Sequence, residues 1–100
     1  MSNRPIGVFD SGLGGLTVLK EINKLLPNEN IVYFGDTARV PYGPRSKETV
    51  IQYTFQAINF LISQNVKAIV IACNTATART LKLAQKKYDI PIIGVIEAGA

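Results

Sequence analysis

Apolar residues along this chain arrive in two rhythms. Continuous runs at residues 5–9, 31–34, 67–72 and 91–96 lack polar alternation, which is the pattern of strands covered on both faces of a parallel sheet. Between the runs, apolar positions recur at three-to-four spacing. Leu16, Leu19, Ile22 and Leu26 predict a helix over 14–26 with Pro27 as its stop, and Ile51, Phe55, Ile58 and Ile62 give the buried stripe of a second helix. Ser46 stands where it can N-cap that second helix, with Glu48 in its first turn. A third helix is expected over 75–88. The order β-α-β-α-β-α-β predicts an open α/β fold. Its sheet is mostly parallel, its crossovers are right-handed, and helices cover both faces.

Composition narrows the class. At 47% hydrophobic and 18% charged, the chain is globular rather than disordered. Its 100 residues make one small domain at most and contain no repeat, low-complexity stretch or flexible linker. The chain stops at Ala100, where such a fold would enter its next helix, and a four-strand half sheet with an open edge looks unfinished. Residues 1–100 are therefore expected to be the N-terminal α/β portion of a longer protein. The single cysteine excludes an internal disulfide and fits a reducing compartment. Residues 1–5 are polar and the apolar run after them is too short for a secretory h-region. No stretch approaches the roughly 18 apolar residues of a membrane span. The expectation is a cytoplasmic protein with no membrane partner. The net charge of +4 is modest. Arg79, Lys82, Lys86 and Lys87 fall mostly along one side of the third helix, where a solvated outer face is expected. No aromatic residues interleave with them, and no nucleic-acid partner is expected.

Chemistry concentrates at the strand ends. Ligands of open α/β sheets bind outside the carboxyl ends of the strands, and the unusual polar groups of this chain lie there. The first strand ends in Asp10-Ser11, the second in Gly35-Asp36-Thr37 leading to Pro41-Tyr42-Gly43-Pro44, the third in Cys73-Asn74-Thr75, and the fourth in Glu97. Cys73 closes an apolar run and precedes a helix, so its sulfur is expected at a helix N-terminus. There the free N–H groups and the helix dipole favour thiolate. A buried structural cysteine is the other reading of this residue. The glycines of Asp10-Ser11-Gly12-Leu13-Gly14-Gly15 allow positive φ, and the helix start behind them can hold an anion. An ordinary tight turn fits the same residues. Thr17 stands where a dinucleotide fingerprint needs its last glycine, and no Gly-Lys-Ser/Thr of a P-loop follows. Asp10 can be a cap, or it can orient an ammonium group or move a proton. Capping or turn chemistry is expected of Asp36. Arg39 and Arg45 are expected to be solvated, though either can steer an anion. Asn74 and Thr75 can hold a carboxylate beside the sulfur, and Thr75 can be a plain N-cap. There are no histidines. A general base from this chain is thus a carboxylate, the thiol, a tyrosine or a lysine, unless it comes from residues outside the chain.

Four segments, taken together, resemble the aspartate/glutamate racemase family and within it the glutamate racemase branch. They are Asp10-Ser11-Gly12-Leu13-Gly14-Gly15-Leu16-Thr17, Gly35-Asp36-Thr37 with Pro41-Tyr42-Gly43-Pro44-Arg45, Ala72-Cys73-Asn74-Thr75-Ala76-Thr77, and Gly94-Val95-Ile96-Glu97. They occur in the family's order and span nearly the whole chain. The resemblance implies interconversion of L- and D-glutamate by two cysteines flanking the α-carbon. It implies no pyridoxal phosphate, metal or other cofactor, a product feeding peptidoglycan synthesis, and a homodimer at full length. Cys73 matches the cysteine that acts on D-glutamate, and Asp10 matches the acidic residue that assists it. Asp10, Ser11, Pro41, Tyr42, Gly43, Cys73, Asn74 and Thr75 match substrate-binding positions. The second cysteine belongs, in the family, to a second α/β domain absent from these residues, with the site between the two domains. The chain by itself is thus expected not to racemise glutamate. Ala98 stands where the family more often has proline. Three rivals stand beside this reading: a related racemase acting on aspartate, a phosphate- or nucleotide-binding α/β module with an incidental cysteine, and a protein–protein interaction role.

Overall fold

The computed structural model describes residues 3–12 and 15–95. Its elements are β1 (Ile6–Asp10), α1 (Gly15–Leu25), β2 (Ile31–Gly35), a 3-10 turn (Thr37–Arg39), α2 (Lys47–Ser63), β3 (Ala68–Ile71), α3 (Asn74–Lys87) and β4 (Ile92–Gly94). The strands form one sheet in the order β2-β1-β3-β4, and every described pairing is parallel. β1 therefore lies inside the sheet, with Ile6 opposite both Ile31 and Ala68. The ladder runs past its end: the Asp36 amide donates to the Asp10 carbonyl at 3.0 Å, and the Ala72 amide donates to the Phe9 carbonyl at 2.7 Å. The chain leaves β1 toward β2 on one side and returns across it to β3 on the other. The gap beyond the ends of β1 and β3 is thus the point where the strand order reverses.

Both sheet faces are covered, as the unbroken apolar runs require. Ile6, Val8, Val70 and Ala72 meet Val18, Leu19 and Ile22 of α1 on one face. Phe9, Ile69 and Ile71 meet Val50, Ala57, Ile58 and Leu61 of α2 and Ala76 and Ala84 of α3 on the other. Complete burial of an Ile or Leu side chain contributes on the order of 1.5–3 kcal/mol, so this second face carries most of the cohesion.

The helix stripes differ from expectation in register. The buried residues of α2 are Val50, Thr54, Ala57, Ile58 and Leu61, while Ile62 is 38% exposed. Thr54 and Ala57 are small enough to let the helix sit close to its neighbours, a role that hydrophobicity alone does not reveal. At the end of α1, Leu26 is 46% exposed. It overhangs an apolar groove shared with Ile22, Leu25 and Ile93 instead of packing onto the sheet. Ser46 caps α2 as expected, accepting from the Thr49 amide at 3.1 Å. The cap of α3 is Cys73, not Thr75, because the helix begins one residue earlier than its apolar pattern, at Asn74. No helix among the described residues is long and apolar enough to cross a membrane.

Candidate active site

Two loops meet where the strand order reverses. One follows β1 and carries Ser11 and Gly12; the other is the start of α3. The segment 41–44 closes over them from the β2 side, with a cis peptide between Val40 and Pro41. Together they enclose a cleft of about 320 Å³ lined by Ser11, Pro41, Tyr42, Gly43, Pro44, Cys73, Asn74 and Thr75. Every residue matched to substrate binding from sequence lines this cleft except Asp10. Pro44 joins them. Leu13, Gly14, Ile96 and Glu97, which the sequence places on the same rim, lie outside the described residues.

Cys73 sits at the N-cap of α3 and is 7% exposed. Its sulfur accepts from the Ala76 amide at 3.5 Å. The helix dipole adds its field at this end. The thiol lies at the positive end of a helix that opens on the cleft, where strand-to-helix logic places it, and it is also buried, as the structural reading of this cysteine expects. Thr75 lies on that first turn beside it.

Asp10 is fully buried. One carboxylate oxygen accepts from the Gly12 amide and the other from the Tyr33 hydroxyl at 2.5 Å. The first contact is an Asx-type turn, in which the side chain bonds the backbone two residues on, and Gly12 completes it at φ +102°. The second crosses from β1 to β2. Burial, the hydrogen bond to Asp10 and its charge push the Tyr33 hydroxyl up to about 12.

Tyr42 reaches the cleft mainly through the loop it belongs to. Its side chain is 2% exposed and packs against Phe9 and Tyr53. Its hydroxyl donates to Asp36 at 2.5 Å. Burial first, then the bond to Asp36, raise its pKa far above the usual tyrosine value. Asp36 does stand at the N-cap of the 3-10 turn, its carbonyl accepting from the Arg39 amide at 3.2 Å, but its side chain makes no capping bond and instead also accepts from the Arg39 side chain at 2.9 Å.

The arginines also depart from expectation. Arg39 lies with its guanidinium carbon 3.8 Å from the centre of the Tyr53 ring and donates to Gln56 at 2.6 Å. Arg45 donates to the Arg39 carbonyl at 3.1 Å. Arg79 turns from the charged side of α3 to the loop, donating to the carbonyls of Arg45 and Gly43. Lys82, Lys86 and Lys87 remain on the exposed face. The loop is therefore fixed by side-chain donors that satisfy backbone carbonyls. Sequence reasoning missed Tyr33 and Arg79. Tyr33 reads as one more residue of an apolar strand; its only local signal is Gly35, two positions on, which leaves room for it.

These residues define an open α/β domain with a buried thiol on a helix N-terminus, in a cleft at the reversal point of its parallel sheet, where such sheets bind ligands. Residues 6–100 match the Asp/Glu/Hydantoin racemase family, and the chain belongs to it. Relatives include the glutamate racemase of Lactococcus lactis subsp. cremoris (strain SK11), 62% identical over all of this chain and 37% of that protein. Another is the glutamate racemase of Oceanobacillus iheyensis, 57% identical over 98% of this chain and 36% of that protein. Among solved structures, a glutamate racemase isoform from Bacillus anthracis superposes with TM-score 0.90 at 54% identity, covering 93% of this chain and 35% of the other. Glutamate racemase from Francisella tularensis in complex with D-glutamate superposes with TM-score 0.88 at 53% identity, covering 94% and 36% respectively. The chain thus spans a little over a third of the length of the relatives it matches.

Proposed function

We propose that the intact protein interconverts L- and D-glutamate by a two-base mechanism without a cofactor, with Cys73 as the base for D-glutamate. The observation that carries this reading is the Cys73 sulfur at the N-cap of α3, on a cleft shared with Ser11, Tyr42, Gly43, Asn74 and Thr75. The relatives named as glutamate racemases, one of them holding D-glutamate, support the choice of substrate.

The physical demand is specific. The α-proton of an amino acid is weakly acidic, so the site must stabilise the carbanion that forms when it leaves. Cys73 as thiolate takes that proton, and a second acid delivers another to the opposite face of the same carbon. This inverts the centre with no net change of protons. The Ala76 N–H aimed at the sulfur supports its negative charge. The hydroxyls of Ser11 and Thr75 and the first-turn amides of α3 suit a carboxylate. Asp10 provides fixed negative charge behind Ser11, which draws the substrate ammonium to this end of the cleft. Burial of the thiol keeps water from competing for the proton. The second base is assigned to residues beyond these 100, which hold one cysteine and no histidine. D-Glutamate so formed suits peptidoglycan synthesis.

The test is isotope exchange. The intact protein is incubated with D-glutamate in D2O, and loss of the α-proton signal is followed by NMR alongside appearance of L-glutamate. Exchange that vanishes in Cys73→Ala is the expected result. A folded wild-type protein that exchanges neither glutamate enantiomer overturns the proposal, and aspartate is then the substrate to try.

A further inference from the structure

We propose that Tyr33 is a positioning residue for Asp10, and that Gly35 is glycine so that Tyr33 can reach it. The inference rests on the reading of Asp10 as a residue that assists racemisation. Its basis is a three-residue arrangement across β1 and β2. Asp10 pairs with Gly35 in the register, and Val8 pairs with Tyr33. Tyr33 therefore starts two residues behind Asp10 on the neighbouring strand, pointing to the same face. To reach Asp10 its ring must lean forward along β2, over position 35. A Cβ built on Gly35 would lie 2.8 Å from the Tyr33 hydroxyl, closer than real Cβ atoms pack, and a tight 3.1 Å from the ring, so the hydroxyl would have to shift. The absence of a side chain at 35 is the condition for the hydrogen bond at 10.

The bond fixes one oxygen of a fully buried carboxylate, while the Gly12 amide fixes the other. A carboxylate anchored at both oxygens has a set orientation and does not rotate toward the thiol or away from the cleft wall. Tyr33 remains a donor at any working pH, since its hydroxyl is pushed up to about 12. It lines no part of the cleft, so it acts on the reaction only through Asp10. Orientation of charge near a reacting carbon is worth most where the group need not reorganise.

The test compares Tyr33→Phe, Asp10→Ala and the double variant in the intact enzyme. Racemisation is followed in both directions, and each fold is checked by thermal unfolding. Tyr33→Phe is expected to lower kcat about tenfold, the rate equivalent of one hydrogen bond to a charged group, with KM within about twofold. In the Asp10→Ala background the same change is expected to have no further effect, because the residue it acts through is gone. A full tenfold loss in both backgrounds, or wild-type kcat in Tyr33→Phe, overturns the inference. If Tyr33→Phe does not fold, Gly35→Ala takes its place and is expected to show the same loss and the same dependence on Asp10. Failure of the underlying reading looks different: Asp10→Ala then matches wild type, or wild type itself does not racemise glutamate.

Discussion

Arg79 is bound to Arg45 by a backbone carbonyl, not by charge: its Nη1 donates to the Arg45 oxygen at 2.7 Å, and its Nη2 reaches the Gly43 oxygen at 3.4 Å. The helix that carries the thiol at its first turn thereby grips the loop that forms the opposite wall of the cleft. Removing the grip loosens the wall and leaves the thiol in place. Arg79→Leu is expected to raise KM for glutamate several-fold while kcat changes less, as steady-state kinetics of the intact enzyme can measure. Arg79→Lys should recover little, since one ammonium cannot span two carbonyls as the guanidinium fork does. A fall in kcat at constant KM would contradict this account.

Cys73 is both a cap and a proposed base, and the two roles separate on substitution. Serine is a strong N-cap residue and alanine a poor one. Cys73→Ser should keep wild-type stability within about 0.5 kcal/mol, whereas Cys73→Ala should lose up to about 1 kcal/mol. Both should abolish exchange of the α-proton. Urea midpoints measured beside NMR exchange give the comparison. A Cys73→Ser protein that retains racemisation would remove the thiol from the mechanism.

The Tyr42 hydroxyl belongs to Asp36 inside the protein. Its deletion in Tyr42→Phe leaves the buried Asp36 carboxylate one donor short, at a cost of roughly 1–3 kcal/mol. The expected signature is a lower thermal midpoint with KM close to wild type. A large rise in KM with unchanged stability would instead place the hydroxyl in contact with substrate.

Tyr33 gives the alkaline limb of stability a definite sign. Its pKa in the fold is about 12 against an ordinary 10, so the folded state holds the proton more tightly than the unfolded chain. The resulting stabilisation is complete below pH 10 and is lost as pH climbs through 12. Unfolding free energy should therefore fall across that window, and less steeply in Tyr33→Phe. Equal slopes in the two proteins would show that Tyr33 titrates normally.

Much of the fold is legible in the chain because its signals are local. Continuous apolar runs mark strands with both faces covered, Ser46 marks a helix start, and Cys73-Asn74-Thr75 marks a strand end that turns into a helix. The cleft follows, since strand ends converge in any parallel sheet. The contacts that hold the cleft in shape are not local. Arg79 and Arg45 are 34 positions apart and Tyr33 and Asp10 are 23 apart, and no spacing rule links such pairs. Arginine also reads as solvent-facing by default, because its many donors seldom find backbone carbonyls without partners of their own. The buried stripe of α2 departs from its hydrophobic pattern for a related reason: Thr54 is buried for its size, which such a pattern does not score.

The position of β1 between β2 and β3 has a further consequence. Asp10 and Ser11 continue a strand whose ladder is closed on both sides, by the amides of Asp36 and Ala72 among others. The floor of the cleft thus belongs to the part of the molecule that opens only when the whole domain does. The loop 41–45 has no such ladder: the Arg45 amide bonds across a turn to Tyr42, and the rest of its hold comes from side chains, the buried Tyr42 ring with its bond to Asp36 and the arginines. With fewer backbone bonds than β1, it is expected to open at lower free energy than the strand beneath it. Amide exchange would resolve the two as separate populations, slow beneath the substrate and fast above it. Entry to the cleft would then be governed by the upper tier alone, leaving the thiol and its carboxylate undisturbed each time the loop lifts.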